Sequence, residues 1–319
     1  MTTPLRAEQP AADRDLSLVI PVFNEEALLP ELFRRLDGVL VPLGIGYEVI
    51  LVDDGSQDAT PALLRAQVAR DPRYRALHFS RNFGHQAAVT AGIDHAAGRA
   101  IVILDADLQD PPELIPLLLA RWREGFEVVY GVRTKRKENP FKRFGYFAFY
   151  RMLKRLTNVE IPLDAGDFAL IDRRVAEVLR AMPERNRFVR GIRSWAGFRQ
   201  TGLVYERDKR FAGEVKYTFA KLLRLALDGI LSFSYVPLRL AVYLGLTVSA
   251  STFVLGIVFI IYHLAGGAAP WGWASTMVAI LFMGGVQLLT LGFIGEYVSR
   301  IYDEVKQRPL YIVATREGF

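Results

Sequence analysis

Apolar and polar positions alternate in blocks along the first part of the chain. Short apolar runs at 16–22, 47–52, 74–79, 100–104 and 127–132 have the length and bounding turn residues of buried strands. Amphipathic stretches separate them. One runs from Asn24, a suitable N-cap, to about Leu40; later ones run through Ala97 and to Glu124. Strands alternating with helices predict an α/β domain with a doubly wound, mostly parallel sheet. The pattern changes further on. Residues 240–264 and 271–295 hold no Asp, Glu, Lys or Arg, and each is long enough to cross a bilayer as a helix. The short uncharged linker 265–270 makes them an antiparallel hairpin. Before them, Phe219, Leu222, Leu223, Ala226, Leu227, Ile230 and Leu231 recur at helical spacing opposite Lys221, Arg224 and Asp228, the pattern of a helix lying in a membrane interface.

These patterns divide the chain into a polar tail over 1–14, a catalytic-size domain over 15–217, a juxtamembrane amphipathic helix over 218–236, two transmembrane helices within 237–298 (about 240–264 and 273–297), and a tail over 299–319. The first residues lack an apolar core, so they read as a disordered tail and not as a signal peptide. Lys and Arg cluster outside the distant ends of both spans, so the positive-inside rule puts both termini and the large domain in the cytoplasm, at the plasma (inner) membrane. Net charge is +6. Nine of the basic residues lie between Arg133 and Arg155 among aromatic side chains. Beside two spans, that mixture suits anionic lipid headgroups and not nucleic acid. The absence of cysteine excludes disulfides, thiolate catalysis and Cys-ligated zinc. Glycines at 284, 285, 292 and 295 permit close helix contact, which favours self-association.

Candidate chemistry collects at strand ends. Asp105-Ala-Asp107-Leu-Gln109 follows the run ending at Leu104, and two carboxylates two apart at such an end can share a divalent cation, with Gln109 as a third oxygen ligand. Alone, this pattern is equally well a solvated turn. Asp53-Asp54-Gly55-Ser56 ends the second run, and Arg133 ends the fifth, where its guanidinium fork suits a phosphate. Neither a phosphate-binding G-x-x-x-x-G-K-[ST] loop nor a G-x-G-x-x-G follows the first strand.

Val19-Ile-Pro-Val-Phe-Asn-Glu-Glu26, Val52-Asp-Asp-Gly-Ser56, Arg81-Asn-Phe-Gly-His-Gln86 and Asp105-Ala-Asp-Leu-Gln-Asp-Pro-Pro112 together resemble the inverting GT-A glycosyltransferases of family 2. Asp164-Ala-Gly-Asp167, Arg185-Asn-Arg-Phe-Val-Arg-Gly191 and the hairpin narrow the resemblance to the polyprenyl-phosphate glycosyltransferases. It implies a sugar transferred from a nucleotide donor to a polyprenyl-phosphate acceptor. Pro21, Phe23, Glu25 and Asp53 would line the nucleoside pocket. Asp107 would hold Mg²⁺ or Mn²⁺ with Asp105 and Gln109, though Asp105 is alternatively assigned to the ribose. Asp164 or Asp167 would serve the acceptor as base or orienting group. Arg133, Arg207, Arg210 and Lys216 would bind phosphates, the last three from a loop that closes over the donor. UDP-glucose is the first expected donor and GDP-mannose the alternative. A processive polysaccharide synthase is the rival enzyme, disfavoured by the lack of Q-x-x-R-W and of further spans. A non-catalytic nucleotide-sugar sensor or scaffold is the rival of another class.

Overall fold

A computed structural model describes residues 14–133, 165–185, 187–206, 236–266 and 272–319. Two compact units are present. One contains the sheet together with residues 309–319, and the other contains two long helices. The sheet unit opens with β1 (Leu16–Val22), α1 (Leu29–Leu40), β2 (Tyr47–Asp53), α2 (Thr60–Arg70), β3 (Tyr74–Phe79), α3 (His85–His95), β4 (Ala100–Ile103) and α4 (Ile115–Arg123). It continues with β5 (Val128–Arg133), β6 (Ala165–Asp172), α5 (Arg173–Ala181), α6 (Val189–Trp195), β7 (Gln200–Tyr205) and, after the long helices, β8 (Val313–Glu317).

The strand order is β7-β5-β6-β4-β1-β2-β3-β8. β1 through β4 are mutually parallel, while β6 and β8 run antiparallel to their neighbours. Every residue of β1 and β2 is buried, as expected for central strands covered on both faces. On α1 the buried positions Leu29, Leu32, Phe33, Leu36 and Leu40 form one stripe against the sheet. The doubly wound sheet read from the sequence is therefore present, and its five strands lie within a residue of their expected bounds.

The start of α1 and the last strand differ from expectation. Helix α1 begins at Leu29, not beside Asn24. Asn24 instead adopts φ +53°, and its side-chain oxygen accepts from the Gln57 N–H at 2.8 Å. Its capping capacity is used between loops, so the chain makes a turn over residues 25–28 before the helix starts. Residues 313–317, read as part of a tail, form edge strand β8 beside β3. Their alternation was too short to register as a strand without its partner.

At the sheet edge opposite the strand ends named above, Glu48 is 1% exposed. It accepts from Arg14 Nη1 at 2.7 Å, Ser17 Oγ at 2.6 Å and the Ala97 N–H at 2.7 Å. Removing one partner of such a network strands the others. Glu48→Ala should cost about 3–5 kcal/mol of stability, read as a lowered denaturation midpoint.

The long helices are α7 (Val236–Leu264) and α8 (Trp273–Lys306). Both are long and apolar enough to cross a bilayer. α8 extends past the expected end near 297, where Glu296 pairs with Arg300 one turn on, and stops at Gln307, which takes φ +47° two residues before Pro309. The expected tail over 1–14 (apart from Arg14), the amphipathic helix over 218–235 and nearly all of the basic aromatic stretch 133–155 lie outside the described residues.

Candidate functional site

The carboxyl ends of β1 to β5 and the start of antiparallel β6 share one sheet edge. Two loops there are tied to each other. The Asn24 N–H donates to Ser56 Oγ, the Glu25 N–H to Thr60 Oγ1, the Glu26 N–H to Asp58 Oδ2, and the Ala59 N–H to Glu26 Oε2. Gly55 permits the packing. Its φ is +75°, and a Cβ there would lie 2.6 Å from the Arg81 carbonyl carbon. Pro21 is buried within β1 level with Val52, so Phe23 and Glu25 are the expected nucleoside-segment residues that reach the edge. Phe23 is 44% exposed.

Asp53 ends β2 with both oxygens engaged. Oδ1 accepts from the Ser56 N–H at 2.9 Å, and Oδ2 lies 2.9 Å from His78 Nδ1. Burial pushes its pKa up, but the His78 and Ser56 hydrogen bonds outweigh burial and leave it lowered. The adjacent Asp54 accepts from the Phe83 and Gly84 N–H groups, which positions the turn into α3.

The acidic loop after β4 is shaped by Leu108, which is buried at φ +55°. Asp107 Oδ1 accepts from the Gln109 N–H at 3.1 Å, and Gln109 itself is buried. Antiparallel pairing matches Ile103 with Ala169. Continuing that register by two residues puts Asp105 level with Asp167. His85, the first residue of α3, lies between them, its Nε2 3.6 Å from Asp105 Oδ1 and 3.4 Å from Asp167 Oδ2. Asp105 keeps some side-chain exposure, yet its Oδ1 is buried and has no hydrogen-bond partner among the described residues. Burial, opposed by His85 and reinforced by Asp167, Asp110 and Asp107, raises its pKa to about 6.

Asp167 also receives Arg190, whose Nη2 lies 3.3 Å from Oδ1, and Gln86 Nε2 at 3.3 Å. Burial opposes its ionisation, but His85, Arg190 and Arg193 hold its carboxyl well below the usual range. His85 is pushed up in return: burial works against its charge, and Asp167, Asp105 and Asp54 prevail. Arg193 is 1% exposed, and among the described residues none of its guanidinium nitrogens has a hydrogen-bond partner. Its guanidinium lies over the Tyr130 ring, 5.7 Å from the centroid, and Asp167 is the principal anion facing it.

Arg133 is fixed at the end of β5. Its Nη2 is 3.1 Å from Oδ2 of fully buried Asp110, and its Nε donates to Tyr205 Oη at 3.3 Å. Tyr205 in turn donates to Asp110. Gly166 leaves the space this requires, since a Cβ there would lie 2.7 Å from Arg133 Nη2. The Arg133 side chain is 30% exposed and is held in a fixed orientation at the edge.

The structure thus gathers Phe23, Glu25, Asp53, Asp105, Asp107, Gln109, Arg133 and Asp167 at one edge. Asp164, Arg207, Arg210 and Lys216 lie outside the described residues. Sequence reasoning assigned no role to His78, His85, Arg190, Arg193 or Asp110. For His85 a signal existed, because Gly84-His85 opens a helix directly after a strand whose end faces the site. Among the described residues no three His, Asp or Glu side chains form a ligating cluster. Asp105 and Asp107 still suit a divalent cation that takes its other ligands from a substrate, because Asp105 offers a buried oxygen that lacks a hydrogen-bond partner.

Residues 17–180 match the profile of Glycosyl transferase family 2, and residues 236–301 match the GtrB C-terminal hairpin. The chain is 49% identical to the uncharacterised glycosyltransferase YkcC of Bacillus subtilis, over 95% of this chain and 94% of that one. It is 41% identical to a prophage bactoprenol glucosyl transferase homologue of Escherichia coli, over 93% and 98% of the two chains. It is 42% identical to the bactoprenol glucosyl transferase of Shigella phage SfII, over 93% and 97%.

Proposed function

The chain belongs to glycosyltransferase family 2, and from that membership we propose that it transfers one glucose from UDP-glucose to polyprenyl phosphate at the cytoplasmic face of a membrane. The observation that carries the reading is the row Asp105, His85, Asp167 at the sheet edge beside Asp53, in a chain that matches bactoprenol glucosyl transferases along nearly its whole length. Phe23 would offer a face for the base, with Asp53 at the neighbouring strand end. Asp105 and Asp107, with Gln109 next to them, would hold Mg²⁺ or Mn²⁺, which supplies Lewis-acid stabilisation of the departing diphosphate.

The acceptor is a phosphate monoester with a second pKa of about 6, so near neutral pH it is already an ionised nucleophile. One of its oxygens forms the bond to the sugar's anomeric carbon as the bond to the nucleoside diphosphate breaks, and the anomeric configuration inverts. No proton has to be removed. Asp167, held ionised by His85 and Arg190, is a weak base and serves as an orienting group for sugar or acceptor. Asp164, on the same segment of sequence, is the second candidate for that role. Arg133 presents a fixed cation to phosphate, and Arg207, Arg210 and Lys216, in the sequence after β7, would complete the phosphate contacts. The hairpin would anchor the chain in the membrane that carries the acceptor, with anionic lipids as partners of the basic stretch 133–155 and self-association through the helix glycines.

Purified protein should be given undecaprenyl phosphate and radiolabelled UDP-glucose, UDP-galactose or GDP-mannose. Label is expected in the organic phase with UDP-glucose at a rate at least about tenfold above the other two, the discrimination that a few pocket contacts supply. A preference for GDP-mannose would replace the donor assignment. Water-soluble polymer would identify a processive synthase, and binding without transfer would identify a sensor.

A further inference from the structure

An edge strand ordinarily needs only backbone pairing to close a sheet, and β8 supplies that beside β3. Its side chains do more. Glu317 pairs with Ala76, two residues before His78 on the same face of β3. From there its carboxylate reaches diagonally to His78, with Oε1 3.6 Å from Nε2. His78 is buried, and that nitrogen has no hydrogen-bond partner. The ring's other nitrogen, Nδ1, lies 2.9 Å from Asp53 Oδ2. A row of carboxylate, imidazole and carboxylate therefore runs from β8 to the end of β2.

The register of β8 is fixed at both ends. Tyr311 stacks on Phe79 with centroids 5.2 Å apart and donates to Asp94 Oδ2 at 2.9 Å. Phe319 packs edge-on against His95 and beneath the Arg75 guanidinium. Between them Gly318 takes φ +75°, and a Cβ there would lie 2.8 Å from the Tyr74 carbonyl oxygen. A slip of one residue would turn Glu317 to the other face, so these anchors determine which side chain meets His78.

We propose that β8 is part of the donor site and that Glu317 is a positioning residue, acting through His78 to hold the Asp53 carboxylate in the orientation that receives the nucleoside. The inference rests on the reading of Asp53 as a nucleoside-facing group. Without the Glu317 charge, His78 loses one of its two flanking carboxylates, and the Asp53 oxygen it holds is free to turn. The cost falls on donor binding and not on the chemical step.

The test uses the full chain in detergent, titrated calorimetrically with UDP and with GDP and assayed for transfer. Glu317→Gln should weaken nucleotide binding about 5- to 10-fold, the size of one lost buried polar contact. Donor KM should rise by the same factor with kcat at saturation within about twofold of wild type. His78→Gln should show the same shift, and the double variant no further one, because the two act in series. Arg316→Gln, exposed and on the opposite face of the same strand, opposite Leu77, should change neither. Unchanged nucleotide affinity in Glu317→Gln, additive effects in the double variant, or a fall in kcat at constant KM would overturn the inference while leaving the transferase reading intact. Wild-type protein that bound neither nucleotide would overturn both.

Discussion

Asp107→Ala is expected to lower sugar transfer by at least about 10³-fold, the several kcal/mol that a divalent ion supplies to a departing diphosphate. The fold should barely register the change. Asp107 is partly exposed, and one of its oxygens accepts the Gln109 N–H. Alanine removes that acceptor from the Gln109 N–H, at a cost of about 1 kcal/mol. Thermal unfolding close to wild type, with activity lost and not restored by excess Mn²⁺, is the predicted pattern. The neighbouring Asp105 adds a pH dependence. Burial raises its pKa to about 6, and only the ionised carboxylate can ligate. Above pH 6 the proton does not compete and apparent metal affinity should be flat. Below pH 6 it should fall by about tenfold per unit, measured as the Mn²⁺ concentration giving half-maximal transfer.

Asp167→Asn is the second large effect, at about 10²- to 10³-fold in kcat. The substitution keeps the shape and removes the one negative charge shared by His85, Arg190 and, through space, Arg193. Fully buried Arg193 would then lose the principal anion facing it among the described residues, so a lowered melting temperature should accompany the lost activity. The pH profile separates two roles. Asp167 has a depressed pKa, so its contribution to stability is complete above the ordinary carboxylate range and is lost only in strong acid. Across pH 6 to 9 it stays ionised. An orienting role predicts the same fold-loss at pH 6 and pH 8.5. A base role predicts near-recovery at pH 8.5, where the acceptor phosphate is fully ionised without help.

The parts of this molecule that could be read from residues alone were those with local signals. β1 and β2 are continuous apolar runs because both faces of each are covered, and their terminal Asp53 and the later Asp105 and Asp107 had to emerge at one edge once the sheet was parallel. Asn24 carried a misleading signal. It has the right chemistry for a helix cap, but its oxygen serves a loop 33 positions away, and no local pattern records that. β6 was hidden because antiparallel insertion between β4 and β5 is a tertiary event, and with it went the level placement of Asp105 and Asp167. His85, Arg190 and Arg193 come from separate elements and converge only through that insertion. β8 has no apolar run of its own, and its partner β3 lies more than two hundred residues earlier in the chain. For Arg133, spacing indicated a cation at a strand end, whereas the clamp by Asp110 and Tyr205 depends on a buried carboxylate that no local pattern marks.

The most direct test of transfer to a lipid phosphate is the mass spectrum of the lipid recovered after incubation with undecaprenyl phosphate, UDP-glucose and Mn²⁺. Undecaprenyl phosphate carrying one hexose and a single phosphate is expected, absent when Asp107→Ala replaces the wild type. A lipid with two phosphates, a lipid bearing a growing glycan, or unchanged undecaprenyl phosphate beside active wild-type protein would contradict that expectation.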